Sequence, residues 1–407
     1  MNKSKLSLFF ILFCFVFLSQ SENLISKEVL LKDWSLESSG KQPLFSLVPW
    51  QKLSQRSFQK VPLILIHGTL SEFKKFSNWS FLLKEIKKKQ KNSKKFLEKY
   101  EIFTFRYPSN THNSKELVLK LAKSLKELEA LYQKNSTLED FKKLKYKFVV
   151  SSLGGNILCE VFSGKHFETG KVLQIISIGT PFWGIPLLNE ELLNQVSLSK
   201  EEKISNFLLL KGTYSLYPVL KDFLQWKLAF YQGAEAPSLK QTRKYLKIYQ
   251  EHGCFTVREK ITSYGSFLES PYNNSNLGKK GEEWLKENLV SFNYKHAWNS
   301  LMHYKMSKDL FTNFSLQYLL NFNDGLVPVY SSLFLDPLEF GWAFQEKSIE
   351  FLLKKIRSPN YRYKSRLFFN LDHTDLTFEH KNLKIKDLIT GQEKESIARF
   401  ILEDLEF

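Results

Sequence analysis

The stretch Lys147-Phe148-Val149-Val150-Ser151-Ser152-Leu153-Gly154-Gly155 runs an apolar strand directly into a serine that is followed, one residue later, by paired glycines. A strand that becomes a helix over so few residues fits a sheet covered by helices, and the turn must be sharp enough to push a side chain out of the backbone. Gly154 and Gly155 leave room for the helix to approach the sheet closely. Ser152 is therefore the first candidate nucleophile. Read alone, the segment is equally a plain tight strand-to-helix turn.

Its neighbours in sequence repeat the pattern. Val61 to Ile66, Glu101 to Arg106, Tyr146 to Ser151 and Val172 to Ile178 are short apolar runs separated by helical segments. Ser114 to Tyr132 is an amphipathic helix with Leu117, Leu121, Leu125 and Leu128 on one face. The alternation predicts an α/β fold with a mainly parallel central sheet, helices on both faces, and reactive residues at the carboxyl ends of the strands. Phe76, Trp79, Leu82 and Leu83 predict a helix after the first core strand, and residues 22 to 58 an edge strand or wrapped arm. Further on, Phe255 to Tyr264 reads as a strand, and Leu367-Phe368-Phe369 as the heart of the last one. Between them, Leu187 to Leu193, Ile204 to Leu210, Leu216 to Tyr231 and Tyr245 to Tyr249 read as separate short helices with leucine and aromatic faces.

Four segments then fall in a telling order: Ile66-His67-Gly68-Thr69-Leu70 at a strand end, Ser152, Asn323-Asp324-Gly325-Leu326-Val327-Pro328, and Leu371-Asp372-His373-Thr374-Asp375. With Ile178-Gly179-Thr180-Pro181-Phe182-Trp183-Gly184, they make the chain resemble the α/β-hydrolase superfamily, and within it the secreted bacterial triacylglycerol lipases and carboxylesterases. The resemblance implies the α/β-hydrolase fold with a helical cap or lid insertion over residues 185–250. It also implies a serine hydrolase cleaving acyl esters: Ser152 the nucleophile, His373 the base, Asp324 the acid that orients it. The N–H groups of Thr69 and Leu153 become the oxyanion donors, and Leu70 and Trp183 line the acyl pocket. Lysophospholipase, thioesterase and acyltransferase chemistry use the same residues.

Each assignment has a plainer rival. Asp324 could simply cap its own turn, His373 could be an ordinary exposed histidine, and His296, His303 and His380 are other imidazoles without a matching motif. His67 reads as a brace for its loop rather than a proton carrier. Ser151 competes with Ser152, but only Ser152 leaves one residue and then paired glycines behind it. Asp375 matches a position that in many secreted bacterial lipases helps hold a structural calcium ion; a metal-free loop acid is the favoured reading, since calcium needs six to eight oxygens. The chemistry itself requires no cofactor. Val150 departs from the glycine usual two places before the nucleophile, so the elbow is expected to be crowded there. That departure also admits an inactive hydrolase fold that binds the cell envelope.

The amino terminus is a cationic start followed by an apolar run from Leu6 to Leu18 and then polar residues, so residues 1–21 read as a signal peptide and 22–407 as the hydrolase domain. The expected destination is outside the cell or in the periplasm and envelope. The net charge of +17, spread over lysine clusters such as Lys87-Lys88-Lys89 and Lys142-Lys143, would draw the surface to anionic membranes or envelope polymers. No nucleic-acid motif accompanies the charge. Of three cysteines, Cys14 lies in the leader, and Cys159, seven residues past Ser152, is expected to be a buried free thiol.

Overall fold

The computed structural model describes residues 44–51, 57–68, 79–88, 90–108, 114–185, 223, 247–267, 324, 327–336, 349–371, 373, 375–377 and 384–405. Strand β1 (Ser46–Pro49) leads to β2 (Val61–Ile66), helices α1 (Ser80–Lys88) and α2 (Gln90–Lys99), β3 (Tyr100–Arg106), α3 (Ser114–Asn135) and α4 (Leu138–Lys142). Next come β4 (Tyr146–Ser151), α5 (Leu153–Ser163), β5 (Val172–Ile178) and β6 (Ile261–Phe267). The chain continues through α6 (Val329–Ser332), α7 (Ile349–Ile356), β7 (Lys364–Phe369), the two-residue strands β8 (Ile385–Lys386) and β9 (Glu393–Lys394), and α8 (Ile397–Asp404).

Seven strands form one sheet in the order β1-β3-β2-β4-β5-β6-β7, with β1 antiparallel at the edge and all other pairs parallel. Parallel strands need both faces covered. The residues divide accordingly: Ile64, Ile66, Phe148, Val150 and Ile175 join Leu117, Leu121, Leu125, Ile157 and Val161 of α3 and α5 on one side. Leu63, Leu65, Val149 and Ile176 meet Phe81, Leu82, Phe400 and Ile401 of α1 and α8 on the other. This is the two-sided, mainly parallel sheet expected from the alternating runs, in the α/β-hydrolase form that the resemblance implied.

Two features depart from the expectation, and a third was not foreseen in the sequence. Phe255–Lys260 is a 3-10 turn and the strand starts only at Ile261, because Val257 and Arg258 bury their side chains in the turn before the chain enters the sheet. Cys159 is not a free thiol: its sulfur is bonded to that of Cys254, across 95 residues. The approach is so close that a Cβ on Gly253 would lie 1.8 Å from the Cys159 carbonyl oxygen, so only glycine fits there. Finally, α8 is a full core helix. Tyr100 Oη, Lys147 Nζ and Gln174 Nε2 donate to its last carbonyls, at Leu405, Leu405 and Asp404 (2.7, 3.3 and 2.6 Å), satisfying acceptors that a helix end leaves open. Arg366 grips the Asp404 carboxylate through Nε and Nη2, both at 2.7 Å.

The leader at 1–21 lies outside the described residues, as does the expected cap except for residue 185, buried Phe223 and the helical turn at 247–250. Among the described residues no helix is long and apolar enough to cross a membrane.

Candidate active site

Ser152 stands between β4 and α5 with φ 48° and ψ −124°, a positive φ that an L residue rarely adopts. The turn is held from both sides: the Ser152 N–H donates to the Ile178 carbonyl at 2.9 Å, and the Gly155 N–H to the Ser152 carbonyl at 3.1 Å. The paired glycines are demanded by neighbours. A Cβ on Gly154 would come within 2.5 Å of the His67 and Ile66 carbonyl oxygens, and one on Gly155 within 2.2 Å of Thr180 Oγ1. The helix thus sits directly against the ends of β2 and β5. Val150 is accommodated in this arrangement: it is buried, flanked in register by Ile66 on β2 and by the small Ser177 on β5.

His373 Nε2 lies 2.9 Å from Ser152 Oγ, and its Nδ1 lies 2.7 Å from Asp324 Oδ2. An ionised carboxylate only accepts, so Nδ1 carries the proton and Nε2 is left to accept from the serine hydroxyl. Asp324 is wholly buried, and its second oxygen, Oδ1, accepts the Val327 N–H at 2.7 Å. The backbone repeats the attachment, because the His373 N–H donates to the Asp324 carbonyl at 2.9 Å. Gly179 gives the imidazole its place: its φ is +57°, and a Cβ there would meet His373 Cε1 at 3.0 Å. Such an array can abstract a proton from a hydroxyl and hold the resulting imidazolium against a buried anion.

His67 is buried beside this centre. Its Nε2 accepts the Tyr107 N–H at 3.3 Å, so Nδ1 carries the proton and donates to the Gly68 carbonyl at 2.8 Å. Burial strips solvent from the charged form and pulls its pKa down to about 4, with Arg106 nearby adding repulsion. The ring is therefore neutral at pH 7 and serves to hold the loop, which brings Gly68 against Ser152: a Cβ on Gly68 would lie 2.8 Å from Ser152 Cβ. Tyr107 completes the brace. Its ring stacks on His67 at 4.1 Å, and its hydroxyl donates to the His67 carbonyl at 2.6 Å. In sequence, Tyr107 carries only the signal of a residue before proline that closes a strand.

Leu153 opens α5, so its N–H is among the helix-start donors that have no intrahelical acceptor. Thr69 and Leu70 lie outside the described residues, as do Asp372, His296, His303 and His380. Trp183 is fully buried; its Nε1 donates to the Leu335 carbonyl at 3.0 Å and its ring packs on Phe334, Tyr249 and His252. Asn156, one turn past Ser152, donates to both the Pro181 and Phe223 carbonyls (3.0 and 3.2 Å) and so ties α5 to the segment after β5. Neither Tyr107 nor Asn156 belongs to a motif.

Asp375 is buried in the 3-10 turn Asp375–Thr377. Among the described residues, the one cluster with metal-ligand spacing is Cys159, His252 and Cys254, whose sulfurs are bonded to each other. Residues 372, 374 and 378–383 beside Asp375 lie outside the described residues, so its surroundings do not test a calcium ligand set.

The sequence matches no protein-family model and no curated protein. Solved structures that it resembles include a Bacillus licheniformis lipase, BlEst2 in mature form, at 13% identity and TM-score 0.38, covering 82% of this chain and 92% of that one. The metagenomic carboxyl esterase MGS0156 aligns at 14% identity and TM-score 0.33, covering 92% of this chain and 81% of that one. A 2-hydroxy-6-oxo-6-phenylhexa-2,4-dienoate hydrolase from Rhodococcus sp. strain RHA1 aligns at 11% identity and TM-score 0.31, over 86% and 92%. Likeness at this level carries no chemistry, which rests on the site itself.

Proposed function

We propose that the protein is an exported serine hydrolase that cleaves carboxylic acyl or lipid esters through an acyl-enzyme. The observation that carries this reading is the continuous relay from Ser152 Oγ through His373 to Asp324, at 2.9 and 2.7 Å, mounted on a serine held at positive φ. Ser152 attacks the ester carbonyl while His373 Nε2 takes its proton; the imidazolium returns that proton to the departing alcohol. Water then enters the same place and loses a proton to His373 as its oxygen adds to the acyl carbon; the bond to Ser152 Oγ breaks, the imidazolium returns the proton to that oxygen, and the acid leaves. Asp324 stays ionised throughout and keeps the imidazole in one tautomer and one orientation. The developing oxyanion is met by the Leu153 N–H at the helix start and by the amide after Gly68.

The resemblance assigns an apolar cap to residues 185–250, and the Cys159–Cys254 bond ties the chain just past that segment to α5. That bond, together with the leader-like residues 1–21, favours an oxidising compartment outside the cytoplasm. The test is fluorophosphonate labelling of the purified protein beside Ser152→Ala, followed by hydrolysis of aryl esters of increasing acyl length. A folded wild-type protein that neither labels nor turns over any ester would leave an inactive hydrolase fold in its place.

A further inference from the structure

Ser152, Asp324 and His373 sit on segments far apart in the chain, and one short turn is tied to all of them. It covers residues 178–184, starting at the last residue of β5. Near its start Gly179 has φ +57°, and a Cβ there would stand 3.0 Å from Cε1 and 3.2 Å from Nδ1 of His373. The imidazole therefore packs directly on the backbone of the turn, where a side chain would displace it. The turn is shaped by its own main chain, since the Phe182 N–H donates to the Thr180 carbonyl and the Gly184 N–H to the Pro181 carbonyl, both at 2.9 Å. Those bonds give the turn a form; they do not decide where it stands.

Two buried side chains supply the ties. On the nucleophile's side, Asn156 of α5 donates from Nδ2 to the Pro181 carbonyl at 3.0 Å and to the Phe223 carbonyl at 3.2 Å. Both partners are carbonyl oxygens, which only accept, so the amide can face only one way. The same helix start is joined to the turn by the Ser152 N–H, which donates to the Ile178 carbonyl at 2.9 Å. On the acid's side, Asp324 Oδ1 accepts the Val327 N–H at 2.7 Å, and the chain runs from Val327 through Pro328 into α6. There Ser331, wholly buried, accepts the Trp183 N–H at 2.9 Å and donates its one proton to the Gly184 carbonyl at 3.0 Å. The hydroxyl is thus committed in both directions to the far end of the turn.

We propose that Asn156 and Ser331 are positioning residues for His373: they clamp the turn 178–184 to the helix behind Ser152 and to the segment after Asp324, and so set where the imidazole stands between Ser152 Oγ and the Asp324 carboxylate. Neither side chain contacts the reacting atoms. Both act through the backbone on which the imidazole packs. A turn bonded to two elements at once has little slack, because a shift that shortens one bond lengthens the other. The consequence for ester hydrolysis rests on the hydrolase reading above; the placement of the imidazole does not.

The test compares Asn156→Ala and Ser331→Ala with the wild type in hydrolysis of a soluble aryl ester, in the native and in the His373→Ala background. Thermal unfolding is followed in parallel, together with the low-field proton resonance of the His373 Nδ1–H, which is identified by its loss in His373→Ala. Each variant should lower kcat roughly tenfold and leave KM within about twofold, because a misplaced base is felt in the chemical step rather than in substrate binding. Each should also broaden or shift the low-field resonance. In the His373→Ala background neither should cost more than about a further twofold, since both act through the imidazole. Native kcat with an unchanged resonance, a loss confined to the melting temperature, a loss carried by KM, or an undiminished loss in the His373→Ala background overturns the proposal. Should Asn156→Ala fail to fold, Ser331→Ala, which removes a single oxygen, decides alone. A resonance altered in both variants of a protein that hydrolyses no ester would sink the hydrolase reading and leave the positioning of His373 standing.

Discussion

Gly154 lies so near His67 that a Cβ at position 154 would stand 2.5 Å from the His67 carbonyl oxygen. The contact is backbone to backbone, between the start of the helix behind the serine and the loop that follows β2. Neither partner has a flexible end that could give way. The serine and the loop beside it are thereby held in one geometry by main-chain packing.

Gly154→Ala should therefore harm turnover more than stability. Overpacking of this kind costs about 1–3 kcal/mol, while a displacement of about 1 Å between reacting groups can cost on the order of a hundredfold in rate. Denaturant unfolding and ester kinetics on the same preparation separate the two. A variant with native turnover would mean that the elbow shifts without consequence.

Ser152→Ala should abolish fluorophosphonate labelling and lower turnover by at least about 10⁴-fold, as loss of a nucleophile does elsewhere. Ser151 ends β4, is buried, and pairs in register with Ile178, so Ser151→Ala should keep most of both. Labelling that survives Ser152→Ala and vanishes in Ser151→Ala would reverse the assignment.

The core strands could be read from the sequence because parallel strands buried on both faces leave uninterrupted apolar runs, as in Val61–Ile66 and Tyr146–Ser151. Ser152, Asp324 and His373 could be named through resemblance, but their meeting depends on a fold that joins positions 221 residues apart. What stayed hidden is what long-range packing decides. Whether Cys159 pairs depends on where Cys254 lands, and no local pattern gives that. Val150 faces the small Ser177 across the sheet, a neighbour only once β4 and β5 are in register. Tyr107 acts on His67 from the adjacent strand end, so no motif spans the pair.

The Cys159–Cys254 bond closes a loop across 95 residues that includes β5, so its loss should be felt in the folded protein. Cys159→Ser/Cys254→Ser should lower stability by about 2–5 kcal/mol. Because α5 carries Ser152 at its start, turnover should fall as well. Thermal unfolding with and without a reductant reads the first effect, and aryl ester hydrolysis at a temperature where both proteins are folded reads the second. Equal melting of the reduced and oxidised wild type would show that the bond contributes nothing to the fold.

His373→Ala and Asp324→Asn should each preserve folding and lose most turnover, with the histidine change at least as severe. The two groups act through one imidazole, so the double variant should be far less than multiplicatively worse than the singles. Steady-state kinetics on all three provide the cycle. A well-folded His373→Ala protein with full activity would dismiss the relay from Ser152 to Asp324 as the source of catalysis.

The last expectation concerns acid. His67 has its pKa pulled from 6.5 to about 4 because the folded protein buries the neutral ring. In the unfolded chain the ring takes up its proton as pH falls through 6.5, while the folded protein takes it up only near 4. The unfolded state therefore binds more protons across that interval, and stability declines as pH drops from about 6.5 to about 4 and levels off below. At about 1.4 kcal/mol per pH unit, the contribution lost is about 3 kcal/mol. His67→Gln keeps a donor and an acceptor but does not titrate, so it should unfold with a visibly flatter pH profile over that range. Urea unfolding of both proteins at intervals from pH 4 to 7 gives the difference directly. Parallel profiles would mean that the His67 ring is not held neutral between Tyr107 and Gly68.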